Sequence, residues 1–545
     1  MNEDFDYKKL YLNKDFIYLS KIANNIRKYL SDFNDMNFGH IGSNLGIVEI
    51  TMSFFVFFNF DNNLLLFDTG HQSHIYKLLI NGKQKFETIK KNDGLSNFQE
   101  FKETEHDWIS NGHSSTALSY AIGYGILKLK KNIFVAIGDA AFYTSHTHSS
   151  LLNINKSKSR IIILLNDNEE SIGTKPPKLK SVKDYCESLD IDYFYCANGN
   201  DFKSIFEVFE KLDYNSKKHV LIHFKTIKSI GYTGKNNILF NHTIEKIIDN
   251  SYPKMVALEF ENLFTNKDFL LNPSMLKPSN FYNLSLKYPN NVIDMGINEE
   301  IVVMTANAIA NLKKRVFVSI YSSFLQRCFD QLIHDAARNN NTIGFLIDRG
   351  GLNYGGGVSH HGIYDVSIAS NLKNSIICNP YDYNDIKNMV ELMFSHNKGL
   401  FFLRYENKNV PITDNKINFK IGQWSYLIYN KFNEITLISY GSILEQFKKY
   451  IEINNLNINL INARFIKPLD LSMLNENIYN KIYVYEELYE TNSLYEKITL
   501  QLKGKKDIFG FNIKSNNVMH GDKDSVIKKI GLDLDAVFKI ILKED

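Results

Sequence analysis

Short apolar runs of strand length alternate along the whole chain with segments of helical periodicity. The runs that predict strands are rich in Ile, Val, Leu and Phe, and they cover residues 133–137, 160–165, 219–224, 315–320, 342–347, 399–404, 435–440 and 482–487. Continuous apolar runs are typical of strands buried on both faces of parallel sheets, with the intervening helices as crossovers. The pattern therefore predicts an α/β protein that repeats this arrangement several times.

Two polar, turn-rich stretches interrupt the alternation, at residues 241–278 and 406–417. They predict three domains, at 1–250, 275–405 and 415–545. Open α/β sheets bind ligands beyond the carboxyl ends of their strands. Candidate chemistry is therefore expected in the residues that directly follow each strand.

Charge and composition exclude several classes of protein. The 545 residues include 63 Lys and Arg against 60 Asp and Glu, a net charge of +3 that is too small for a nucleic-acid binder relying on bulk charge. The hydrophobic and charged fractions, 44% and 23%, are ordinary for a globular protein and exclude wholesale disorder. We expect no nucleic-acid partner.

Compartment signals favour a cytoplasmic protein without a membrane partner. The amino terminus is acidic and polar, unlike a signal peptide. The most apolar stretch, 47–60, contains Glu49 and Asn59 and is too short to span a bilayer. The cysteines are scattered without a Cys-x-x-Cys pair, which indicates reduced thiols.

Two polar residues follow neighbouring predicted strands. Asp139 comes after strand 133–137 and Asn168 after strand 160–165, 29 residues further on. If the strands are adjacent and parallel, the two side chains lie at the same sheet edge, where oxygen ligands suit Mg²⁺ bound to phosphates. Gly138-Asp139 alone is more typical of a turn with a helix cap. The second ligand at the matching strand end favours the metal site.

Asp139 and Asn168 at this spacing resemble the thiamine-diphosphate signature of transketolase-like enzymes. Further segments resemble successive blocks of one branch of that family, in order over nearly the whole chain: 38–51, 67–79, 111–123, 164–172, 320–335, 346–365 and 463–470. The resemblance implies three doubly wound α/β domains of transketolase-like, thiamine-diphosphate-binding architecture. It also implies a homodimer.

The resemblance implies two cofactors, thiamine diphosphate and Mg²⁺, with ligands in the first two domains. Mg²⁺ would be held by Asp139, Asn168 and the carbonyl of Glu170. The diphosphate would be held by Gly112, His113, Ser114 and the amides of Ala140 and Ala141. The family's other cofactor contacts match His71, Tyr232, Phe324, which would stack on the pyrimidine ring, and Glu299, which would hydrogen-bond a ring nitrogen in acid–base catalysis.

For substrates, the resemblance implies pyruvate and D-glyceraldehyde 3-phosphate. Pyruvate would lose CO₂ and its remaining two carbons would join the aldehyde, in a reaction that feeds isoprenoid precursors. The acceptor's phosphate calls for arginine forks, and the matching residues are Tyr321, Arg327 and Arg349. His40, His71 and His360 match histidines expected to move protons or orient the substrates.

The chain departs from the family pattern at several positions. Ala140 replaces the second glycine of Gly-Asp-Gly, at a cost of about 1 kcal/mol if the position needs a positive φ. Gly356 replaces an acidic residue four positions before His360. Asn407 replaces an arginine, and losing one charge-assisted phosphate contact should cost about 1.5–3 kcal/mol of substrate binding.

A segment that the family carries after the Asn166-Asp167-Asn168 block is reduced here to a connector at 173–180. Its basic residues read as a solvated loop or as compensation for the lost arginine: Lys175, Lys178 and Lys180. The departures leave two alternatives open, a carboligase with a changed acceptor and a catalytically silent relative. Asp139, Asn168 and Glu299 together argue against the silent relative.

Overall fold

The computed structural model describes residues 5–37, 39–172, 174–176, 178–239, 242–244, 250–414, 416–475, 481–504, 506–514 and 518–542. Phe38, which opens one of the family-like segments, and Gly173 and Pro177 of the connector lie outside the described residues. The chain divides into two compact units, Met1–Ile247 and Ile248–Asp545.

The first unit alternates helices and strands, as the apolar runs predicted. Its helices are α1 (Phe16–Asn37), α2 (Gly42–Gly46), α3 (Val48–Phe57), α4 (His74–Phe86), α5 (Ala117–Ile126), α6 (Asp139–Phe142), α7 (Ser145–Leu152), α8 (Val182–Ser188) and α9 (Phe202–Glu210). Its strands are β1 (Gly39–His40), β2 (Asn63–Phe67), β3 (Asn132–Gly138), β4 (Arg160–Asp167), β5 (Asp192–Cys196), β6 (Val220–Lys225) and β7 (Thr243–Ile244).

The main sheet of this unit has the order β2-β3-β4-β6-β5, and each neighbouring pair is parallel. Alternate strand residues face two different cores: Leu65, Phe134 and Ile162 pack with α1, α3 and α9. Leu64 and Ile133 pack on the other side with α5 and α8. Helices therefore cover both faces, which confirms the doubly wound α/β prediction for this sheet.

The second unit contains the remaining elements. Its helices are α10 (Tyr252–Leu263), α11 (Tyr282–Lys287), α12 (Glu299–Asn311), α13 (Phe329–Gln331), α14 (Asp365–Ser370), α15 (Tyr383–Ser395), α16 (Ile443–Ile453), α17 (Leu471–Leu474), α18 (Leu494–Gln501), α19 (Lys523–Lys529) and α20 (Leu534–Leu542). Its strands are β8 (Phe269–Asn272), β9 (Val292–Asp294), β10 (Val316–Tyr321), β11 (Ile343–Asp348), β12 (Ser375–Cys378), β13 (Leu400–Arg404), β14 (Ser425–Ile428), β15 (Ile435–Ser439), β16 (Ile458–Asn462), β17 (Phe465–Lys467), β18 (Lys481–Tyr489) and β19 (Asp507–Ile513).

These strands form two sheets, ordered β17-β12-β13-β11-β10-β8-β9 and β14-β16-β15-β18-β19. Only β17 and β14 run antiparallel to their neighbours. The edge strand β17 comes from the predicted third domain but pairs with β12 of the predicted second one. The division into 1–250, 275–405 and 415–545 stays a proposal, supported by the separate sheets.

The predicted linker at 241–278 is wrong for part of its length. Helix α10 and strand β8 lie within it, and β8 pairs with β10 on one side and with the edge strand β9 on the other. Tyr252, Val256 and Phe260 are buried at helical spacing. Pro253 occupies the first turn of α10, where its missing N–H costs no hydrogen bond.

Within the described residues, no helix combines the length and apolar character needed to cross a membrane.

Candidate active site

The register of β3 and β4 brings the two predicted metal ligands to one edge of the sheet. Gly138 is paired with Asn166, so Asp139, which opens α6, lies beside the turn that follows β4. Asp139 is only 2% exposed, and its Oδ2 is buried without a hydrogen-bond partner. A buried carboxylate oxygen left without a partner is what a metal ligand looks like before the cation binds. The site therefore fits Mg²⁺.

Two neighbouring carboxyls at this edge have pKa values shifted in opposite directions. Burial and the charge of Asp167 raise the pKa of Asp139. For Asp167, burial also favours the neutral form, but a hydrogen bond from His223 and the charge of Lys225 outweigh it and lower the pKa. The metal end of the sheet thus holds one ionised carboxylate and a second whose charge a cation would stabilise.

The turn after β4 is built by side chains that accept from the backbone. The Glu169 N–H donates to Asp167 Oδ1 (3.0 Å), and the Glu170 N–H donates to Asn168 Oδ1 (3.1 Å). Glu169 has a φ of 60°, unusual for a residue other than glycine. The predicted ligands Asn168 and Glu170 are therefore carried on a tight turn next to Asp139.

The predicted diphosphate loop is organised by Asp68, at the end of β2. Asp68 is fully buried and accepts from the backbone N–H groups of Ser115 (2.6 Å) and Ala117 (3.1 Å). Ser115 follows Gly112, His113 and Ser114, and its hydroxyl lies 3.5 Å from the carbonyl oxygen of Ala141. Both predicted diphosphate segments therefore meet beside the metal edge.

Two predicted histidines cluster with a third that sequence analysis missed. The rings of His40 and His71 stack at 4.7 Å, and His242 packs edge-on against both at 5.0 and 4.7 Å. Burial and the neighbouring imidazoles lower the pKa values of His40 and His242. These two rings are therefore neutral near pH 7. The backbone pairing of β1 with β7 is what brings His242 to His40.

Lys228 is a second residue that sequence analysis missed. Its Nζ donates to the carbonyl oxygen of Ser171 (2.7 Å), just after the Asn168 turn. Burial lowers its pKa to about 8, although Glu170 and Asp139 favour the charged form. It adds a buried cationic group to the metal edge.

Tyr232, a predicted cofactor contact, is held by helix α1. Its hydroxyl donates to Asp35 Oδ1 (2.6 Å) and lies 2.8 Å from the carbonyl oxygen of Asn236. The structure thus engages Tyr232 with Asp35 and not with the histidine cluster.

In the second unit, Glu299 is the first residue of α12 and is 2% exposed. Its Oε2 lies 3.6 Å from Arg327 Nη1. Burial raises the pKa of the Glu299 carboxyl, and Arg327 offsets this only in part. A carboxyl that is neutral more readily than usual can hold a proton and share it with a ring nitrogen.

The remaining predicted residues of this unit form one aromatic and basic group after β10 and β11. Phe324 stacks on Tyr321 at 5.6 Å, with 8° between the rings, and meets His360 edge-on at 6.0 Å. The guanidinium of Arg349 lies over the Tyr321 ring at 4.7 Å. Tyr321, Arg349 and His360, predicted for substrate, are thus brought together with Phe324.

The position of Gly356 explains part of the departure from the family. A Cβ added there would lie 2.6 Å from Cβ of His360. The loop is packed around a glycine and does not admit the acidic residue of the family without moving His360.

The other substrate-side departure, Asn407, is exposed. Its neighbour Lys408 does not replace the missing arginine, because its Nζ lies 2.6 Å from Glu406 and 3.7 Å from Glu487. Arg404 is likewise engaged, with Nε 2.7 Å from Asp365 Oδ2. The basic groups of this segment are therefore held by carboxylates.

Ala140 lies in helix α6 without a positive φ, so the expected strain at this position is not present. In the connector, Lys178 is 2.8 Å from Glu169, which also pairs with Lys225 at 2.7 Å. Lys178 is thus attached to the metal-site turn. It is nevertheless exposed, in keeping with the prediction of a solvated lysine.

The chain is similar to known proteins in sequence. Residues 12–182 match the family described as 1-deoxy-D-xylulose-5-phosphate synthase, and residues 264–413 match the pyrimidine-binding domain of transketolase. Among solved structures, the chain is similar to transketolase from Campylobacter jejuni, with 15% identity, a TM-score of 0.48, and coverage of 96% of this chain and 99% of that one.

Two relatives align over almost the whole chain. The 1-deoxy-D-xylulose-5-phosphate synthase of Fusobacterium nucleatum is 29% identical, over 94% of this chain and 96% of the relative. That of Malacoplasma penetrans is 32% identical, over 98% of this chain and 97% of the relative. Since this likeness runs through both units from end to end, the chain belongs to the 1-deoxy-D-xylulose-5-phosphate synthase family.

Proposed function

We propose that the protein catalyses the reaction of its family. Pyruvate loses CO₂, and its former ketone carbon, still carrying the methyl group, bonds to the aldehyde carbon of D-glyceraldehyde 3-phosphate. One proton is taken up, and the product is 1-deoxy-D-xylulose 5-phosphate, an isoprenoid precursor. The observation that carries the proposal is the pairing of β3 with β4, which sets the buried, partnerless Asp139 Oδ2 beside the Asn168 turn. That edge suits Mg²⁺ and a diphosphate.

Thiamine diphosphate, when bound, supplies the carbanion chemistry of the reaction. Asp139, Asn168 and the Glu170 carbonyl would hold its Mg²⁺. The loop at 112–114 and the first turn of α6 at 140–141 would hold its diphosphate through backbone N–H groups, which commonly bind phosphate oxygens at the start of a helix. The protein's part is to orient the cofactor and exclude water around it.

Glu299 is proposed to hold a proton at a pyrimidine ring nitrogen. Its burial and raised pKa support this role, because a shared proton needs a carboxyl that is not fully committed to the charged form. Arg327 would keep the Glu299 carboxyl oriented from 3.6 Å away.

Arg327, Arg349 and Tyr321 are proposed to bind the phosphate of the acceptor. Arg349 is held in place by its contact with the Tyr321 ring, so its guanidinium is oriented before substrate arrives. His40, His71 and His360 are proposed to orient the substrates and to move protons at the pyruvate carbonyl and the aldehyde oxygen. The lowered pKa of His40 keeps its ring neutral, which suits it to orient a substrate by hydrogen bonding.

A homodimer, implied by the family resemblance, and a cytoplasmic location, predicted from the sequence, complete the proposal.

A second candidate is a carboligase with a different acceptor. Two observations in the second unit favour it. An acidic side chain does not fit at position 356 without moving His360, and Lys408 is ion-paired with Glu406 and Glu487. This candidate keeps the same cofactor and the same decarboxylation.

One pair of reactions tests the proposal. CO₂ release from pyruvate is measured with Mg²⁺ and thiamine diphosphate, with and without D-glyceraldehyde 3-phosphate, and the sugar product is identified by NMR. Stimulated release with 1-deoxy-D-xylulose 5-phosphate as product is the expected result. Release that ignores the acceptor would support the second candidate. No release from an enzyme that binds its cofactor would indicate a silent relative.

A further inference from the structure

A chain of three polar groups, two buried and one half-buried, runs from the metal-site turn into the sheet, and the proposed mechanism does not use it. His223 on β6 is 9% exposed, and its Nε2 lies 2.9 Å from Asp167 Oδ2. Its Nδ1 lies 2.9 Å from the hydroxyl of Tyr193 on β5. The chain Asp167–His223–Tyr193 thus crosses three neighbouring strands, because the sheet order is β4-β6-β5.

The chemistry of these groups orients the chain. An ionised carboxylate only accepts hydrogen bonds. Nε2 of His223 therefore carries the ring hydrogen and donates a hydrogen bond to Asp167. The Tyr193 hydroxyl fixes the other ring nitrogen and therefore the plane of the ring. Lys225 adds a second contact on the same carboxylate oxygen, at 3.6 Å from Oδ2.

While Oδ2 of Asp167 is held by His223, Oδ1 makes a different hydrogen bond. Oδ1 accepts the N–H of Glu169 at 3.0 Å, and Thr226 N–H donates to the Asp167 carbonyl at 3.0 Å. The first of these bonds closes the turn in which Glu169 takes its positive φ. Asn168 and Glu170, the proposed metal ligands, are carried on that turn.

We propose that His223, backed by Tyr193, is a positioning residue of the metal site. It fixes the Asp167 carboxylate through Oδ2, so that Oδ1 keeps closing the turn that carries Asn168 and Glu170. Residues that hold metal ligands from behind commonly set metal affinity by roughly 10–100-fold. This inference rests on the proposed function, because it takes Asp139, Asn168 and Glu170 as the Mg²⁺ ligands.

The chain offers a matched control at the other end of the same strand pair. His219 is also buried, directly precedes β6, and accepts the N–H of Ile161 on β4 through Nδ1 at 3.1 Å. It lies at the amino end of β4, while His223 lies at the carboxyl end, next to the proposed ligands. A merely structural role would make both histidines matter equally for stability and neither for Mg²⁺.

The experiment is a calorimetric titration of the full-length protein with Mg²⁺ at a fixed thiamine-diphosphate concentration and without substrates. His223→Phe keeps a ring but removes the donor, and we expect it to raise the Mg²⁺ needed for half-saturation by roughly 10–100-fold. His219→Phe is expected to leave that value near wild type. His223→Gln, which restores an N–H donor, should recover most of the affinity.

Tyr193→Phe removes only the outer hydroxyl and should shift the Mg²⁺ requirement by roughly twofold to tenfold. It decides the question if His223→Phe does not fold. An unchanged Mg²⁺ requirement in a folded His223→Phe or, failing that, in Tyr193→Phe would overturn the inference. Equal shifts in His219→Phe and His223→Phe would also overturn it.

The titration separates this inference from the proposed function. A wild-type protein that binds the cofactor with Mg²⁺ but forms no product would refute only the function. A productive enzyme whose His223 variants bind Mg²⁺ normally would refute only the inference.

Discussion

The two groups of proposed site residues, one in each unit, differ in how they are supported. In the first unit, Asp68 and Asp167 close the turns around Asp139 by accepting backbone hydrogen bonds. In the second unit, the loop from Arg349 to His360 contains Gly356, and the nearby Lys408 is held by two carboxylates. The group around Asp139, here called the cofactor end, is densely hydrogen-bonded. The group around Arg349 and His360, here called the acceptor end, has lost charged side chains relative to the family.

This difference indicates where the chain could change without losing its chemistry. A metal and diphosphate site demands several oxygen ligands and N–H groups in fixed positions, so the loss of one disables the site. An acceptor pocket with two arginines can lose a third and bind its substrate more weakly. We therefore expect ordinary cofactor affinity together with a raised KM for the acceptor.

The largest predicted effect would separate chemistry from binding. Glu299→Gln removes the proposed proton holder and should lower kcat by roughly 10²–10⁴-fold, the usual contribution of general acid–base catalysis. Mg²⁺-dependent cofactor binding, followed by calorimetry, should stay near wild type. Glu300→Gln, one position further along α12, is the control and should turn over normally. Equal loss in both variants would remove Glu299 from the mechanism.

The second prediction sharpens the acceptor side of the comparison. Arg349→Met removes a guanidinium that the Tyr321 ring holds in place, and the KM for D-glyceraldehyde 3-phosphate should rise by roughly 10–100-fold, the cost of a charge-assisted contact. CO₂ release from pyruvate alone should be unaffected. The control is Arg338→Met, a surface arginine near His334. An unchanged KM in Arg349→Met would show that the phosphate binds elsewhere.

The third prediction uses two adjacent glycines of the same loop. Gly356→Ala places a Cβ 2.6 Å from Cβ of His360 and should destabilise the protein by about 1–3 kcal/mol, while lowering kcat through the displaced histidine. Gly355→Ala meets no atom within 4 Å and should change neither property. Thermal unfolding and steady-state kinetics measure both. Matching behaviour of the two variants would contradict the packing argument.

The smallest predicted effect tests the one departure at the cofactor end. Because Ala140 is helical, Ala140→Gly should cost about 1 kcal/mol of local stability and weaken cofactor binding by at most about fivefold. Fluorescence titration with thiamine diphosphate would measure the change. Tighter binding in the glycine variant would show that the alanine methyl obstructs the diphosphate after all.

The sequence predicted the parts of the fold that depend on local pattern. Each of the eight apolar runs became a strand, because continuous β-branched and aromatic runs suit a sheet covered on both faces. The prediction of a linker over the whole of 241–278 failed, because helix α10, which begins with Pro253 in its first turn, lies within a stretch of polar, turn-rich composition. Strand-end residues such as Asp139 and Asn168 were found because adjacent parallel strands align their carboxyl ends.

Residues that act through distant pairing were missed. His242 reaches His40 only because β7 pairs with β1, about 200 positions away along the chain. Asp68 supports the 112–114 loop through backbone contacts that no side-chain pattern signals, although its place at the end of an apolar run could have marked it. His223 and Lys228 carry no motif of their own. Their significance comes from which strand lies beside which.

The most direct test of this account compares two acceptors on the holoenzyme. The quantity is kcat/KM for 1-deoxy sugar formation from pyruvate with D-glyceraldehyde 3-phosphate and with D-glyceraldehyde, at saturating Mg²⁺ and thiamine diphosphate. Because Arg327 and Arg349 remain, we predict a preference of at least about tenfold for the phosphorylated acceptor. Equal use of the two acceptors by an enzyme that releases CO₂ would contradict a synthase that recognises a sugar phosphate.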